Sequence, residues 1–414
     1  MQPEELMRNF TRFKLHRAPS TSIPQWNMPL KNRSHNLFRL LNPGSWSIRQ
    51  ICAFSLICLA ILLFGTTSSL RAQDEPKQDE PQQQGESKED NQQGKKEETK
   101  SEKKEEKHKK GEPIPRLRAV IWHPTIDVNQ LNLVYGAGGK EDAPSPDAKY
   151  KFKKEDMNGT SPKFDVEDDK GIKWRVKLGQ EPRAETAATR LLFAAGYFVD
   201  EDYYIDELHV EGLPTLKRGQ SFVTADGVVH GARLERKMKE IKKLGTWDWF
   251  KNPFVGTKEF NGLRIMMSLV NNWDLKTINN SIYEVNDEAE YAVSDVGATF
   301  GKTGDPLHRS KSVLKDYEDS KFIDQVSGDL VDFVMHSRPP LLAAINIPNY
   351  EKRTHMQDVT KHIPRADAKW LGERLSQLTE QQIRDCFRAG GYTQEEIDGY
   401  SAVIQNRIAA LNAL

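Results

Sequence analysis

The sequence predicts an α+β fold for roughly its last 300 residues, and three observations carry that prediction. Alternating apolar and polar residues occupy 163–178, helical apolar spacing follows them, and two helix N-caps lie close to the C-terminus. The material in front is of another kind. The 414 residues contain 60 Lys+Arg and 60 Asp+Glu, with a mean hydropathy of -0.69, which is hydrophilic for a folded chain of this length. Position resolves the discrepancy. A basic N-terminal region, residues 1–50, holds 8 Lys/Arg against 2 Asp/Glu, and residues 73–112 hold 10 Lys against 13 Asp/Glu. Residues 113–414 keep 41 basic and 45 acidic groups. A slightly acidic folded unit disfavours nucleic acid as a partner, because a phosphate backbone demands a basic face. Collagen-like, disulfide-rich and wholly disordered classes are excluded by composition. A unit of about 300 residues accommodates one two-lobed domain or two domains.

Ile51 to Phe64 form one apolar run behind Arg49. A bilayer span takes about 20 such residues, so the run is short for a permanent anchor and fits the apolar region of a signal peptide. Residues 51–72 are expected to be a signal peptide cut after Ala72, or a signal-anchor that stays in the membrane through 51–64; an unrelated apolar helix is the third reading. Either export reading leaves the basic side in the cytosol and the C-terminal domain outside it, exported or membrane-anchored. The long basic region also admits a translation start at Met28. Cys52 and Cys58 lie in the run, and Ile57 stands before Cys58 where a lipoprotein signal wants a small residue. Cys386 is then the one thiol of the folded part, which excludes an intrachain disulfide there. Residues 73–112 contain no Leu, Ile, Val or aromatic residue. They cannot bury enough apolar surface to offset the entropy of ordering and read as a disordered mixed-charge linker.

Lys163 to Val166, a polar turn from Asp168 to Gly171, and Ile172 to Leu178 read as a two-stranded hairpin that delivers Lys177 near its end. Pro182 suits the first turn of a helix that runs through Ala184, Ala188, Leu191, Leu192 and Ala195 to a stop at Gly196. Glu185 lies in its first turn. A strand-end Lys with a helix-borne Glu can fix an ammonium group against phosphate oxygens. The plainer reading is an exposed strand Lys and an acid favoured by the helix dipole. Leu263, Ile265, Met266, Leu269 and Val270 then mark an apolar helix, followed by a loop carrying Asp274 and Asn279. That loop is either chemical or a capping turn with Asn in a left-handed conformation. Tyr291 to Ser294 reads as a strand delivering Asp295-Val296-Gly297. Trp247, Trp249, Phe250 and Phe254 suit core packing or a lid better than a stacking platform. Thr379 with Gln382 and Thr393 with Glu396 form two capping boxes flanking Gly390-Gly391, a helix pair continuing to Leu414. The marks of zinc hydrolases, serine hydrolases and Walker-type nucleotide sites are missing from the sequence.

Asp274-Leu275-Lys276-x-x-Asn279 after an apolar helix, then a strand and Asp295-x-Gly297, resembles the catalytic loop and metal-binding motif of protein kinases, with Lys177 and Glu185 upstream in kinase order. The resemblance covers roughly 155–335. It implies a two-lobed kinase-like fold, with a small β-rich lobe at 113–210 and a mainly helical lobe at 211–414 that ends in the helix pair. It implies ATP with Mg²⁺ or Mn²⁺, and a hydroxyl acceptor on a protein, lipid or small molecule. Asp274 would take the acceptor proton with Lys276 beside it as the second catalytic residue, and Asn279 and Asp295 would hold the metal. Lys177, Glu185 and the loop Gly159, Thr160, Ser161 would bind the nucleotide, the loop being the nearest match to a glycine-rich phosphate turn. Asn272-Trp273 stand where His-Arg is usual, Val296 replaces an aromatic residue, and neither an Ala-Pro-Glu segment nor a full Gly-x-Gly-x-x-Gly occurs. Loss of that Arg argues against control by phosphorylation of the following loop. These departures make the chain similar to the atypical kinases: HipA-like, CotH-like and secretory-pathway Golgi kinases and type II phosphatidylinositol 4-kinases. The expectation is an exported or membrane-tethered kinase-like phosphotransferase, or a pseudokinase-type extracytoplasmic binding or scaffold module.

Overall fold

Hydrophobic alternation sets up the first half of the fold and helical spacing the second. The computed structural model describes residues 117–123, 127–145, 147–238, 241–302, 309–335 and 355–414. The unit Met1–Gln83 and residues 84–116 fall outside them, and with them the expected signal or anchor segment and the linker. Among the described residues no helix is long and apolar enough to cross a membrane.

Strand β1 (Arg118–Val120) opens the described chain and is followed by short turns that bury Val128 and Leu133 in the larger of two apolar cores. The next strands are β2 (Tyr150–Asp156), β3 (Lys163–Glu167), β4 (Lys173–Lys177), β5 (Asp202–Glu211) and β6 (Val228–Arg236). They close into a barrel in the order β2-β3-β4-β6-β5, with β2 and β5 meeting in parallel through Tyr150–Val210 and Lys151–Glu211. The expected hairpin is β3 and β4, where Phe164 pairs with Val176 and Val166 with Trp174. Those four side chains point inward with Tyr203, Leu208, Val229, Ala232 and Leu234 and form the barrel's own core. A half-buried antiparallel strand presents every second residue to the core, and these residues follow that rule.

Between β4 and β5 runs helix α1 (Glu181–Ala195), with Pro182 in its first turn and Gly196 in the left-handed conformation at its end. One face of α1, formed by Ala184, Ala187, Ala188, Leu191, Leu192 and Ala195, belongs to the larger core rather than to the barrel's. That core is completed by β7 (Lys242–Gly245), helix α2 (Lys258–Leu269, capped by the Thr257 side chain), β8 (Asn280–Val285) and β9 (Glu288–Val293). The sheet order is β1-β9-β8-β7, and Asn286 and Asp287, both at positive φ, make the two-residue turn between β8 and β9. Trp247 and Trp249 are buried in this core and Phe250 is exposed, so the aromatic cluster is mainly packing.

Helix α3 (Leu314–Glu318), a small antiparallel sheet of β10 (Ile323–Ser327), β11 (Leu330–Phe333) and β12 (Ile363–Pro364), and helices α4 (Arg365–Leu375), α5 (Glu380–Ala389) and α6 (Gln394–Asn412) follow. Both expected capping boxes are present, at Thr379 with Gln382 and at Thr393 with Glu396. The free thiol of Cys386 is buried in α5. The barrel runs on past residue 210. β5 pairs with β6 over seven registers, so the barrel continues to Arg236, while β1, Val128 and Leu133 join the far side of the molecule. Alternation identifies a strand but not its partner, and the partner sets the boundary.

Candidate active site

Lys177 is the last residue of β4 and is 5% exposed. An ammonium group has three donors, and here three carboxylates surround it. Its Nζ lies 2.8 Å from Glu181 Oε2, 2.8 Å from Glu185 Oε2 and 3.1 Å from Asp295 Oδ1. Burial works against its charge, but Asp295, Glu181 and Glu185 outweigh that and hold its pKa well above the ordinary lysine value. Lys177, Glu185 and Asp295 come from β4, α1 and the segment after β9, so the fold brings together the three residues that the sequence placed up to 118 positions apart.

Glu185 is fully buried, and burial raises its pKa to about 7 against the pull of Arg233 and Lys177. Arg233 of β6 sits directly across from Lys177 in the β4–β6 register, with Nε 3.2 Å from Glu185 Oε2. Two cations facing each other across strands repel; the carboxylate between them makes the pairing tolerable. The charged chain goes on to Asp202, 3.4 Å from Arg233, and to Arg190 of α1, 2.8 Å from Asp202.

Glu181 was missed in the sequence. It lies one turn before Glu185 on the same helix face, and that spacing was the available signal. Oε2 accepts from Ser161 Oγ at 2.8 Å as well as from Lys177, and Oε1 lies 2.5 Å from Lys311 Nζ. Lys177 and Lys311 hold its carboxyl well below the usual range despite burial. Gly297 has no room for a side chain, since a Cβ there would lie 2.7 Å from Glu181 Cβ. Val296 is buried in the larger core.

Ser161 ends the expected phosphate loop between β2 and β3. Gly159 takes a positive φ, and its carbonyl accepts from Arg218 Nη1 at 2.6 Å, a tether the sequence did not reveal. Thr160 lies between them. Lys163, the first residue of β3, is paired in register with Lys177. Burial lowers its pKa, and Arg175 and Lys177 lower it further.

The loop after α2 is built on asparagines. Asn271 takes a left-handed conformation and donates to Gly301 O at 2.8 Å, while Arg407 Nη1 holds its Oδ1 at 2.9 Å. Asn272 Oδ1 accepts from the Asp274 backbone N–H at 3.1 Å. Asn279 Nδ2 donates to Asp274 O at 2.9 Å, and Asn279 O accepts from the N–H groups of Ser294 and Asp295 at 2.9 and 3.3 Å. Asn279 therefore ties the Asp274 loop to the Asp295 segment. The Asp274 carboxylate lies 3.4 Å from Lys276 Nζ, apart from the Glu181–Glu185–Asp295 group.

Oxygen ligands from Glu181, Glu185 and Asp295 lie within 4.8 Å of one another. Hard carboxylate donors suit Mg²⁺ or Mn²⁺. Among the described residues Glu185 Oε1 is buried without a hydrogen-bond partner, which fits a site able to accept a cation. No protein-family model matches the chain, and no curated protein matches it. Among solved structures it is similar to the proinflammatory kinase CtkA of Helicobacter pylori, with a TM-score of 0.38 and 10% identity over 64% of this chain and 95% of that one. It is also similar to the golgi casein kinase, with a TM-score of 0.28 and 11% identity over 65% of this chain and 75% of that one.

Proposed function

We propose that this protein is a kinase-like phosphotransferase that moves the γ-phosphate of ATP to a hydroxyl acceptor, with the apolar run 51–64 exporting it or tethering it to a membrane. The observation that carries the reading is Lys177, enclosed by Glu185 at 2.8 Å and Asp295 at 3.1 Å. A lysine held between a helix-borne glutamate and a second carboxylate is an arrangement suited to ATP chemistry, which supports the reading.

In this reading Lys177 turns its ammonium to the phosphates while Glu185 and Arg233 keep its stem aligned. The Gly159-Thr160-Ser161 loop covers the phosphates, with Lys163 beside it. Asp295, with Glu181 next to it and the Asn279 side chain from the neighbouring loop, would hold Mg²⁺ or Mn²⁺. Asn279 already donates through Nδ2 to Asp274 O, so Oδ1 is its ligating atom. Such a metal neutralises charge on the phosphate oxygens when bound. The acceptor oxygen attacks the γ-phosphorus, the bond to the β-phosphate oxygen breaks, and Asp274 takes the acceptor proton, its carboxylate steadied by Lys276.

The test uses the purified full chain with ATP and MgCl₂ or MnCl₂. Nucleotide should bind, label should appear on the protein or on an added hydroxyl acceptor, and Asp295→Asn should abolish the transfer. Absence of ATP binding in both metals would sink the reading. Binding without transfer to any acceptor would favour a pseudokinase.

A further inference from the structure

One cation at the site comes from a segment to which the sequence assigned no role. Lys311 reaches Glu181 Oε1 at 2.5 Å, and the other oxygen of that carboxylate holds Lys177 and Ser161, both at 2.8 Å. One carboxylate thus serves two ammonium groups beside the phosphate loop, while Lys177 has Glu185 and Asp295 as further partners. The position of Lys311 is well fixed. Its Nζ lies 5.3 Å from the centre of the Trp273 ring, and the Arg309 guanidinium lies 4.2 Å from the same centre. Trp273 Nε1 donates to Ser310 O at 3.2 Å. Ser312 N–H donates to Thr299 O at 2.9 Å, and the Ser312 and Tyr392 hydroxyls lie 2.5 Å apart.

Trp273 stands immediately before Asp274, where the resembling kinases carry a cation. Here the aromatic ring is on the Asp274 loop and the cations are on the segment facing it. An aromatic face attracts a cation without neutralising it, so Trp273 positions Lys311 while Glu181 remains its exchangeable charged partner. We propose that Lys311 is a second phosphate-binding cation of the site, presented by Trp273 and parked on Glu181 until a polyphosphate arrives. The proposal rests on the nucleotide reading above and adds to it a residue outside the kinase-like motifs. It also explains how the segment is held without a phosphorylated side chain.

The test titrates ATP and adenosine, each with MgCl₂, into the full chain carrying Lys311→Met, Lys311→Arg, Trp273→Phe or Trp273→Leu. Lys311→Met should weaken ATP binding by about tenfold or more, the scale of one charge-assisted contact, and leave adenosine within about twofold. Lys311→Arg should restore most of the loss. Trp273→Leu should follow Lys311→Met, whereas Trp273→Phe keeps the ring but loses the Nε1 donor to Ser310 O and should fall between the Leu variant and wild type. ATP binding that is unchanged or tighter in a folded Lys311→Met protein would overturn the proposal and make Lys311 a brace for Glu181. Lys311→Gln keeps polarity without charge and carries the same test should the Met variant misfold. Wild-type protein that binds no ATP defeats the nucleotide reading itself, whereas a wild type that binds with every Lys311 variant unchanged defeats only this assignment.

Discussion

The two faces of helix α1 are held by opposite physics. One packs Ala184, Ala187, Ala188, Leu191 and Leu192 into the larger core, where stabilisation is non-directional and grows with the area removed from water. The other sets Glu181, Glu185 and Arg190 against Lys177, Asp202 and Arg233, where each charge is tolerable only because a partner stands within hydrogen-bonding reach. The apolar face holds the helix in place and the charged face specifies which way the site points. Substitutions on the first should therefore cost stability, and substitutions on the second should cost function or leave a buried charge exposed as a defect.

The largest effect should come from Lys177→Met. ATP affinity should fall by about two orders of magnitude or more, as expected when a charged phosphate contact is lost, while the protein stays folded because Arg233 still neutralises Glu185. Calorimetry of binding beside thermal melting checks both halves, and a collapsed melting curve would refute the second. Arg233→Met should act first on stability in the same pair of measurements, with a smaller loss of ATP affinity as Glu185 loses its alignment. It removes a partner from both Glu185 and Asp202, and the cost should be about 3–5 kcal/mol in denaturant unfolding. Leu191→Ala on the apolar face should cost about 2–5 kcal/mol while the folded fraction binds ATP normally.

A subtler contrast lies in pH. With Glu185 titrating near 7 in the folded chain against 4.5 in the unfolded chain, the folded state binds the extra proton between those values. Its contribution to stability therefore falls as pH rises from 4.5 to 7. ATP affinity should move the other way over the same window, because only the ionised carboxylate aligns Lys177. Glu185→Gln should flatten the stability slope, and an unchanged slope would mean that Glu185 is ionised throughout. The smallest effect is expected far from the site, where Thr393→Ala removes the α6 cap and should cost about 1 kcal/mol without altering ATP binding.

Much of the local structure was legible because it depends on near neighbours in the chain. The β3–β4 hairpin follows from alternation, α1 from its alanine spacing between Pro182 and Gly196, and the C-terminal pair from two capping boxes that form as written. Lys177, Glu185 and Asp295 were named from residue type and order, and they meet. Glu181, Arg233, Arg218, Lys163 and Lys311 were not named. Arg233 joins the site through the β4–β6 pairing, and Arg218 and Lys311 through loop paths, none of which leaves a periodic trace. Pairing also carries the barrel past residue 210 to Arg236.

By itself, then, the sequence determined the segregation of charge into a basic N-terminal stretch, a mixed-charge stretch and a slightly acidic remainder, together with most elements of that remainder and the order of its chemical groups. Those properties are set by composition and by contacts a few residues long. Only the tertiary structure decided that three carboxylates and two lysines share one site, and that Arg233 braces it from behind. Which buried charges neutralise one another depends on strand register and loop closure, and local propensity carries no information about either.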